Sequence, residues 1–496
     1  MKLLGFQPPD HPSLPVPTGR DPRAGLQIAD PDAYAGLITH LTRGDRRLQA
    51  WVDSLASGET VVVLTGQQPA LLGGPLYTLY KTWTAIESAR RLRADGQPAV
   101  AAFWCVGDDT DHDEVASVSW PLQQGPPRRL RDELPSGGDR IGSLPVSRMQ
   151  QALRQLREDW PRADFVHRLL AEIVTDADIM NWSSFLKRSL ISLAADEPVL
   201  FLDGNDPVVI EASQSWLRGF AWERRLLAEG LDREADRIRA VGGSPPISGE
   251  EARRCLFVLE GQGRRALAEN EEPGPGAILL PNVVLRPALQ EYLLPVARVI
   301  CGEAEIAYRT LLGPVYALMG RPAAALARRF SATIFPSAWS RDRDLADAMA
   351  ALSNPEEAMD AWARRIVDPE PIRSIERARA SVGEALRQLE EPMAHLDRSL
   401  KQLLDSVAGK VDFQFGRLDE AVLAKGRLVL SRRDAALAHL REILRPRGRL
   451  QERVFTLWTP FLSEGEAALP VLREAVQQWF ERDEAGHALL ATEDAQ

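Results

Sequence analysis

The sequence predicts an α/β protein: a parallel-sheet core with inserted connecting segments, followed by a C-terminal α-helical coiled coil. Three observations carry this expectation. First, the β-branched run TVVVLTG ends in glycine, GPLYTLYKTWTAIESARRLRADG follows with apolar residues at helical spacing, and PAVAAFWCVG is a second apolar run of strand length. Strand, glycine turn, helix and strand make a βαβ unit, whose ligands gather at the carboxyl ends of the strands. Second, apolar runs punctuated by Pro and Gly return in EEPGPGAILLPNVVLRPALQEYLLPVARVICG. Third, beyond Arg373 the composition becomes helical and charged, and Leu389, Leu396 and Leu403 recur at heptad spacing.

Taken in order, residues 1–58 read as a proline-rich lead and an amphipathic helix that stops at Gly58. Residues 59–149 form the first part of the core. Residues 150–270 read as an inserted connecting region that holds one strand and turn, EPVLFLDGND, and a hairpin, RRCLFVLEGQGRR. Residues 271–372 return to the core, with FSATIFPSAWS as a last strand completing the sheet begun near Val61. Residues 373–465 form the coiled coil, and 466–496 a C-terminal tail. Met393, Leu400 and Val407 are offset by four from the heptad leucines, while Pro392, Gly409 and Gly416 predict bent or broken helices. RLVLSRRDAALAHLREILRPRGR reads as a return helix ending at Pro446 and Gly448. The heptads fit a hairpin within one chain or pairing between two.

The 496 residues are 45% hydrophobic, enough to bury real cores. A formal charge of −10 and a pI near 5.4 argue against a protein that wraps nucleic acid, which needs a basic face. Small molecules or proteins are the expected partners. Cys105, Cys255 and Cys301 lie far apart with no C-x-x-C pair, so neither a disulfide framework nor a cysteine zinc site is expected, and a reducing cytoplasm fits. The opening MKLLGFQPPDHPSLP is too short in apolar residues for a signal core, and no apolar run of about 18 residues occurs, so no membrane span is expected.

The densest chemistry is FWCVGDDTDHDE, Phe103 to Glu114, at a strand end. Asp109, Asp111 and Asp113 match the first ligand positions of a calcium loop, but Glu114 stands where the turn glycine belongs and Trp120 where the bidentate glutamate belongs. Three readings stay open: a magnesium site completed by substrate phosphates, a pocket for a cationic amine with one carboxylate as its base, and a solvated acidic turn opening a helix. His112 is the one histidine inside this segment. The second candidate is TGQQPALLGGPLYTLYK. Thr65 and Gln67 offer a hydroxyl and an amide, Gly66 and Gly74 allow close backbone approach, and the following helix N-terminus offers amides to an anion. It is neither a P-loop nor a G-x-G-x-x-G fingerprint, and it reads equally as a tight structural turn.

Together these blocks resemble the BshC family, the cysteine-adding enzyme of bacillithiol biosynthesis. The family's T-G-Q-Q-x-G-L-x-x-G-P-L-Y-T-x-Y-K stretch is met by Thr65, Gly66, Gln67, Gln68, Leu71, Gly74, Pro75, Leu76, Tyr77, Thr78, Tyr80 and Lys81, with Ala70 in place of a glycine. Its F-W-x-x-x-E-D-H-D-x-x-E-like segment is met by Phe103, Trp104, Asp109, Asp111 and Glu114. There Asp108 replaces glutamate and Thr110 stands where the family has histidine. The L-R-P and E-I-A-Y blocks are met by Leu285, Arg286, Pro287, Leu294, Pro295 and by Glu305, Ile306, Ala307, Tyr308. RFSAT at Arg329, Ser331 and Thr333 and the segment LQERVFTLWTPFLSEG follow in family order.

The resemblance implies a Rossmann-like core and a coiled coil used for homodimer formation. It implies a ligase that joins the carboxyl group of L-cysteine to the amine of glucosaminyl malate, with ATP or another nucleotide activating the acyl group and the need for a metal left open. Asp109, Asp111 and His112 are the implied catalytic groups, His112 standing in for the histidine replaced by Thr110. Thr65, Gly66, Gln67, Gln68, Gly74, Pro75, Tyr77, Lys81, Asp108, Glu114, Arg286, Glu305, Tyr308 and Arg329 are the implied substrate-binding set, and no metal ligand is assigned. Structural roles compete for some of these: Leu76, Tyr77 and Tyr80 as packing for the helix, Glu305 and Arg286 as a buried ion pair. Because of Thr110, a dimeric scaffold that binds small molecules without turnover is the alternative function. The ligase reading requires the glutamine turn and the aspartate turn to face each other across one cleft.

Overall fold

The computed structural model describes residues 1–7, 31–43, 45–123, 125–133, 138–175, 181–336, 345–433, 439–482, 484 and 486–492. Residues 8–30 of the proline-rich lead, the end of FSATIFPSAWS and the last residues of the tail therefore lie outside the described residues. Among these residues thirteen strands occur in chain order: β1 Lys2–Gln7, β2 Val61–Gln67, β3 Ala99–Cys105, β4 Ser117–Trp120, β5 Arg128–Arg131, β6 Val199–Asp203, β7 Leu256–Glu260, β8 Gly263–Ala266, β9 Leu279–Pro281, β10 Val296–Cys301, β11 Ala325–Arg328, β12 Ala332–Phe335 and β13 His487–Ala491.

Five of them form one parallel sheet in the order β11-β10-β2-β3-β6. Its central strands are buried on both faces, as a parallel sheet covered by helices requires. Alternation sorts their side chains: Val61, Val63, Ala101 and Phe103 join one core with Leu79, Trp83 and Ile86 of the helix Tyr77–Ala94. Val62, Leu64, Val100 and Trp104 join the other with Leu217, Leu227 and Leu231 of the helix Pro207–Ala240. From β2 the chain steps to β3 and β6 on one side, then returns to β10 and β11 on the other. The strand order thus reverses between β2 and β10, and a crevice opens there beyond the carboxyl ends of the strands.

Several expectations are corrected. The strand in EPVLFLDGND is β6, an edge of the core sheet paired with β3, so the 150–270 region is not wholly an insertion. The strand in FSATIFPSAWS is β12, which pairs with β13, and β13 also pairs with β1; these three make a separate sheet and do not complete the one begun at Val61. The proline-rich lead accordingly starts with a strand that the sequence reading did not place. The hairpin expected in RRCLFVLEGQGRR is present as β7 and β8.

In the C-terminal arm the helix Pro369–Gln388 lies against Arg398–Arg433, with Arg379 Nε 2.9 Å from Asp412 Oδ1. Gly409 and Gly416 sit inside the second helix without breaking it, because each costs only about 1 kcal/mol of helix propensity. Pro392 lies within the short helix Glu390–Leu396, near whose ends the chain bends. The expected return helix also differs: its first residues, through Arg433, continue the long helix, and Leu440–Leu444 is a separate short one. Leu404, Leu423 and Leu430 are buried within the chain, whereas Leu389, Leu396 and Leu403 are 44%, 79% and 57% exposed. The heptad leucines are therefore not the seam of the intrachain hairpin. No helix among the described residues is long and apolar enough to cross a membrane.

Candidate functional site

A cleft of about 400 Å³ lies at the strand-order reversal, lined by the ends of β2 and β10 and by residues that follow β3 and β11. Strand β2 delivers Thr65, Gly66 and Gln67 in register with Phe103, Trp104 and Cys105 of β3. Thr65 Oγ1 donates to the Ile300 carbonyl of β10 at 3.1 Å and ties the two sides of the crevice together. Gly66 is required by packing: a Cβ there would stand 2.5 Å from the Trp104 carbonyl oxygen, so the space this glycine leaves is filled by β3 and not by a ligand.

The two glutamines are fixed in different directions. Gln67 Nε2 donates to the Tyr77 hydroxyl at 2.9 Å, and its Oε1 accepts from Lys81 Nζ at 3.1 Å. Gln68 Nε2 donates to Asp109 Oδ2 at 2.8 Å, so the glutamine turn and the aspartate turn meet in one cleft. Lys81 also donates to the Gly66 carbonyl at 2.9 Å and pairs with Glu305 at 2.7 Å. Glu305 accepts from the Gly302 N–H at 2.7 Å. Burial pushes the Glu305 carboxyl up, but Lys81 and the Gly302 amide outweigh it and hold the group below its ordinary range. The expected pair of Glu305 with Arg286 is not formed. Arg286 turns instead to Asp108, 3.0 Å away, because Asp108 is buried behind the turn and needs a cation.

The acidic turn separates into inner and outer groups. Asp108 is 2% exposed and does not line the cleft; Arg286 and Arg264 flank it. Asp109 lines the cleft with its oxygens committed: Oδ1 accepts from the Thr110 N–H at 2.7 Å and pairs with Arg264, and Oδ2 accepts from Gln68. Burial raises the Asp109 pKa, and Arg286, Arg264 and the two N–H donors more than reverse it, so the group stays anionic. Asp111 and His112 lie off the cleft. The short helix His112–Val115 begins here and turns them outward, and His112 Nε2 is 2.6 Å from the Asp139 carbonyl. Glu114, one turn on, does line the cleft, is exposed, and makes no ion pair or hydrogen bond among the described residues.

Arg329 pairs with the buried Glu452 and stands over the Tyr77 ring at 5.3 Å. Burial raises the Tyr77 and Tyr308 hydroxyl pKa values, so both line the cleft as neutral phenols. Gly74 and Pro75 border a smaller side pocket; the Gly74 carbonyl accepts from the Leu457 N–H at 3.0 Å and Pro75 bridges Thr456. The Leu76 N–H, one residue before the helix, donates to the Phe455 carbonyl at 2.7 Å, so chain from beyond the arm packs on the helix start.

Sequence reasoning missed four groups. Arg264 comes from the β7–β8 hairpin, 155 residues from Asp109, and is seated on the Phe257 ring at 4.2 Å. Arg309 lines the cleft with Nη2 on Gln290 at 2.9 Å while Nε and Nη1 have no hydrogen-bond partner among the described residues. Glu452 and Arg453 follow the arm. Only the last two carried a signal, the Q-E-R-V block. Among the described residues no group of three His, Cys, Asp or Glu is arranged to hold a metal ion.

The chain matches the family described as "Bacillithiol biosynthesis BshC, N-terminal Rossmann-like domain" over residues 37–274 and 276–330. It matches "Bacillithiol biosynthesis BshC, C-terminal coiled-coil domain" over residues 344–479. Among curated relatives, a protein of Thermus thermophilus is 30% identical over 459 residues, covering 85% of this chain and 88% of the relative. Proteins of Geobacillus thermodenitrificans and Solibacter usitatus are 27% and 28% identical, covering 85% and 89% of this chain and 84% and 86% of their own. All three bear the name "Putative cysteine ligase BshC". With both domain families matched in order and across most of its length, the chain belongs to the BshC family of bacillithiol biosynthesis.

Proposed function

We propose that this chain joins the carboxyl group of L-cysteine to the amine of glucosaminyl malate through an activated acyl group. The observation that carries the reading is the cleft at the strand-order reversal, where one free carboxylate, Glu114, faces a wall of amides and neutralised ion pairs.

An amine is protonated at neutral pH and must lose a proton before it attacks an acyl carbon. Asp109 is a poor proton acceptor, since its cationic neighbours favour the ionised form; its work is to hold the aspartate turn against Gln68. Glu114 has no competing partner, so it grips the ammonium group and takes its proton. The freed nitrogen forms the new C–N bond, the activating group departs with the electrons of its bond to the acyl carbon, and the second proton lost by the nitrogen goes to the departing group or to water. ATP or a similar nucleotide would supply that activating phosphoryl or adenylyl group. Arg309, with two unpartnered guanidinium nitrogens, fits an anionic oxygen of this kind.

The test is incubation of purified protein with cysteine, glucosaminyl malate and ATP, with the amide product read by mass. Glu114→Gln is expected to lower turnover by about 10²-fold or more. Asp111→Asn and His112→Asn, both off the cleft, are expected to leave it within about threefold. Ligand binding with no amide product from the unmodified chain would replace the ligase with the scaffold alternative.

A further inference from the structure

Every cation expected to hold the acceptor's negative end is already engaged: Lys81 by Glu305, Arg286 by Asp108 and Arg329 by Glu452. Unpaired positive charge lies next door. A side pocket of about 160 Å³ shares Gln67, Gln68, Tyr77, Glu114 and Arg453 with the main cleft and adds Arg447 and Arg449. None of these three arginines makes an ion pair among the described residues, and Glu114 is the one carboxylate on the pocket wall.

The segment that carries them is pinned. Gln451, 1% exposed, exchanges bonds of 2.9 Å with the Ile334 N–H and carbonyl and gives a third to the Ile443 carbonyl. Glu452, fully buried, accepts from Ser331 Oγ at 2.9 Å and the Ala332 N–H at 3.1 Å. Arg447 holds a φ of 58°, a left-handed conformation that costs a side-chain-bearing residue about 1 kcal/mol or more relative to glycine.

We propose that Arg447, Arg449 and Arg453 form a subsite for a small dianion, contiguous with the reaction cleft. Its volume is that of about five waters, enough for a dicarboxylate head or a phosphoryl group. Guanidinium forks bind either by paired charge-assisted hydrogen bonds. Because Glu114 borders both spaces, a dianion held here places the rest of its molecule against the proposed proton acceptor. The inference rests on the ligase reading for the identity of the dianion, but not for its existence.

Calorimetric titration of the full chain with malate, with inorganic phosphate and with pyrophosphate, against acetate as a monoanion control, tests it. A saturable dianion complex that acetate does not form and that weakens with salt is expected. Preference for malate assigns the subsite to the acceptor; preference for phosphate or pyrophosphate assigns it to the activated donor. The triple change Arg447→Ala, Arg449→Ala, Arg453→Ala is expected to weaken binding by about 100-fold or more. Arg447→Gly, which suits the left-handed backbone and so keeps the fold, is expected to weaken it about tenfold. Absence of dianion binding, or binding unchanged in both variants, overturns the subsite. A protein that binds the dianion but makes no amide fails the ligase reading and keeps the subsite. One that makes amide with unchanged KM values in the triple variant does the reverse.

Discussion

The sheet edge and the C-terminal arm invert the ordinary distribution of polarity. At the sheet edge charge is inside: Asp108 and Arg264 are 2% and 7% exposed, and Lys81 is buried against Glu305. In the arm apolar groups are outside: Leu396, Leu403 and Phe413 stand exposed, while ion pairs such as Arg377–Glu370 are solvated. A buried charge is held only if partners surround it, and an exposed leucine costs its own fold almost nothing. The first region is thus organised by its own chain, and the second leaves an apolar stripe that the intrachain core does not use.

The comparison breaks most visibly through its arginines. Arg264→Ala leaves Asp108 with one partner instead of two and frees Asp109 from its strongest contact, and removing one member of such a buried network costs about 3–5 kcal/mol. Arg377→Ala removes a contact of comparable geometry on the arm and is expected to leave stability unchanged. Urea denaturation of the two variants measures the contrast. Equal losses would mean that burial does not set the worth of these pairs.

Much of this was legible in the sequence. The continuous apolar runs and glycine turns place β2, β3 and β10, and the parallel unit they imply puts ligands where the cleft lies. The sequence could not separate the two halves of DDTDHDE, because sorting Asp108 inward and Asp111 outward depends on Arg264 and Arg286 arriving from distant elements. Nor could it show that Gly66 serves strand packing, a role set by the Trp104 carbonyl across the sheet. The heptad leucines were legible as a stripe, but whether a stripe is a seam depends on which face the neighbouring helix takes.

Protonation sharpens the contrast within the sheet edge itself. Burial pushes Asp203, at the end of β6, up to about 6, and Asp108 and Asp206 add to this against the opposing Asn205 N–H and Ser183. An acid whose folded pKa is raised above its unfolded value of about 3.9 destabilises the fold as pH rises from about 4 to 6, and the cost is constant above that. Asp109, held low, works in the opposite sense: its contribution is present above pH 4 and is lost on acidification. Asp203→Asn is therefore expected to gain about 1 kcal/mol at pH 7, discounted for partial solvent contact, and nothing at pH 3.5. Asp109→Asn is expected to lose stability at pH 7 and to converge with the parent at low pH. Melting temperatures across pH 3.5–8 separate the two; parallel curves would show that neither carboxyl titrates as its surroundings require.

The smallest effect on folding is expected in the arm, and it carries the most about assembly. Leu396→Lys and Leu403→Lys place charge on a face that is 79% and 57% exposed, so a single chain should unfold at the same urea concentration as before. If that face pairs with a second copy, each lysine enters an apolar seam and weakens association by about 10-fold or more, an effect seen as lower mass in solution at a given concentration. Leu404→Lys is the converse control: it is 6% exposed inside the hairpin and should destabilise the arm of a single chain. A loss of folding stability from the exposed leucines with no change in mass would mean that the stripe packs on its own chain. Unchanged mass and unchanged stability would leave the exposed leucines without a partner of the same kind, and the arm would then have to be explained by something other than a second copy.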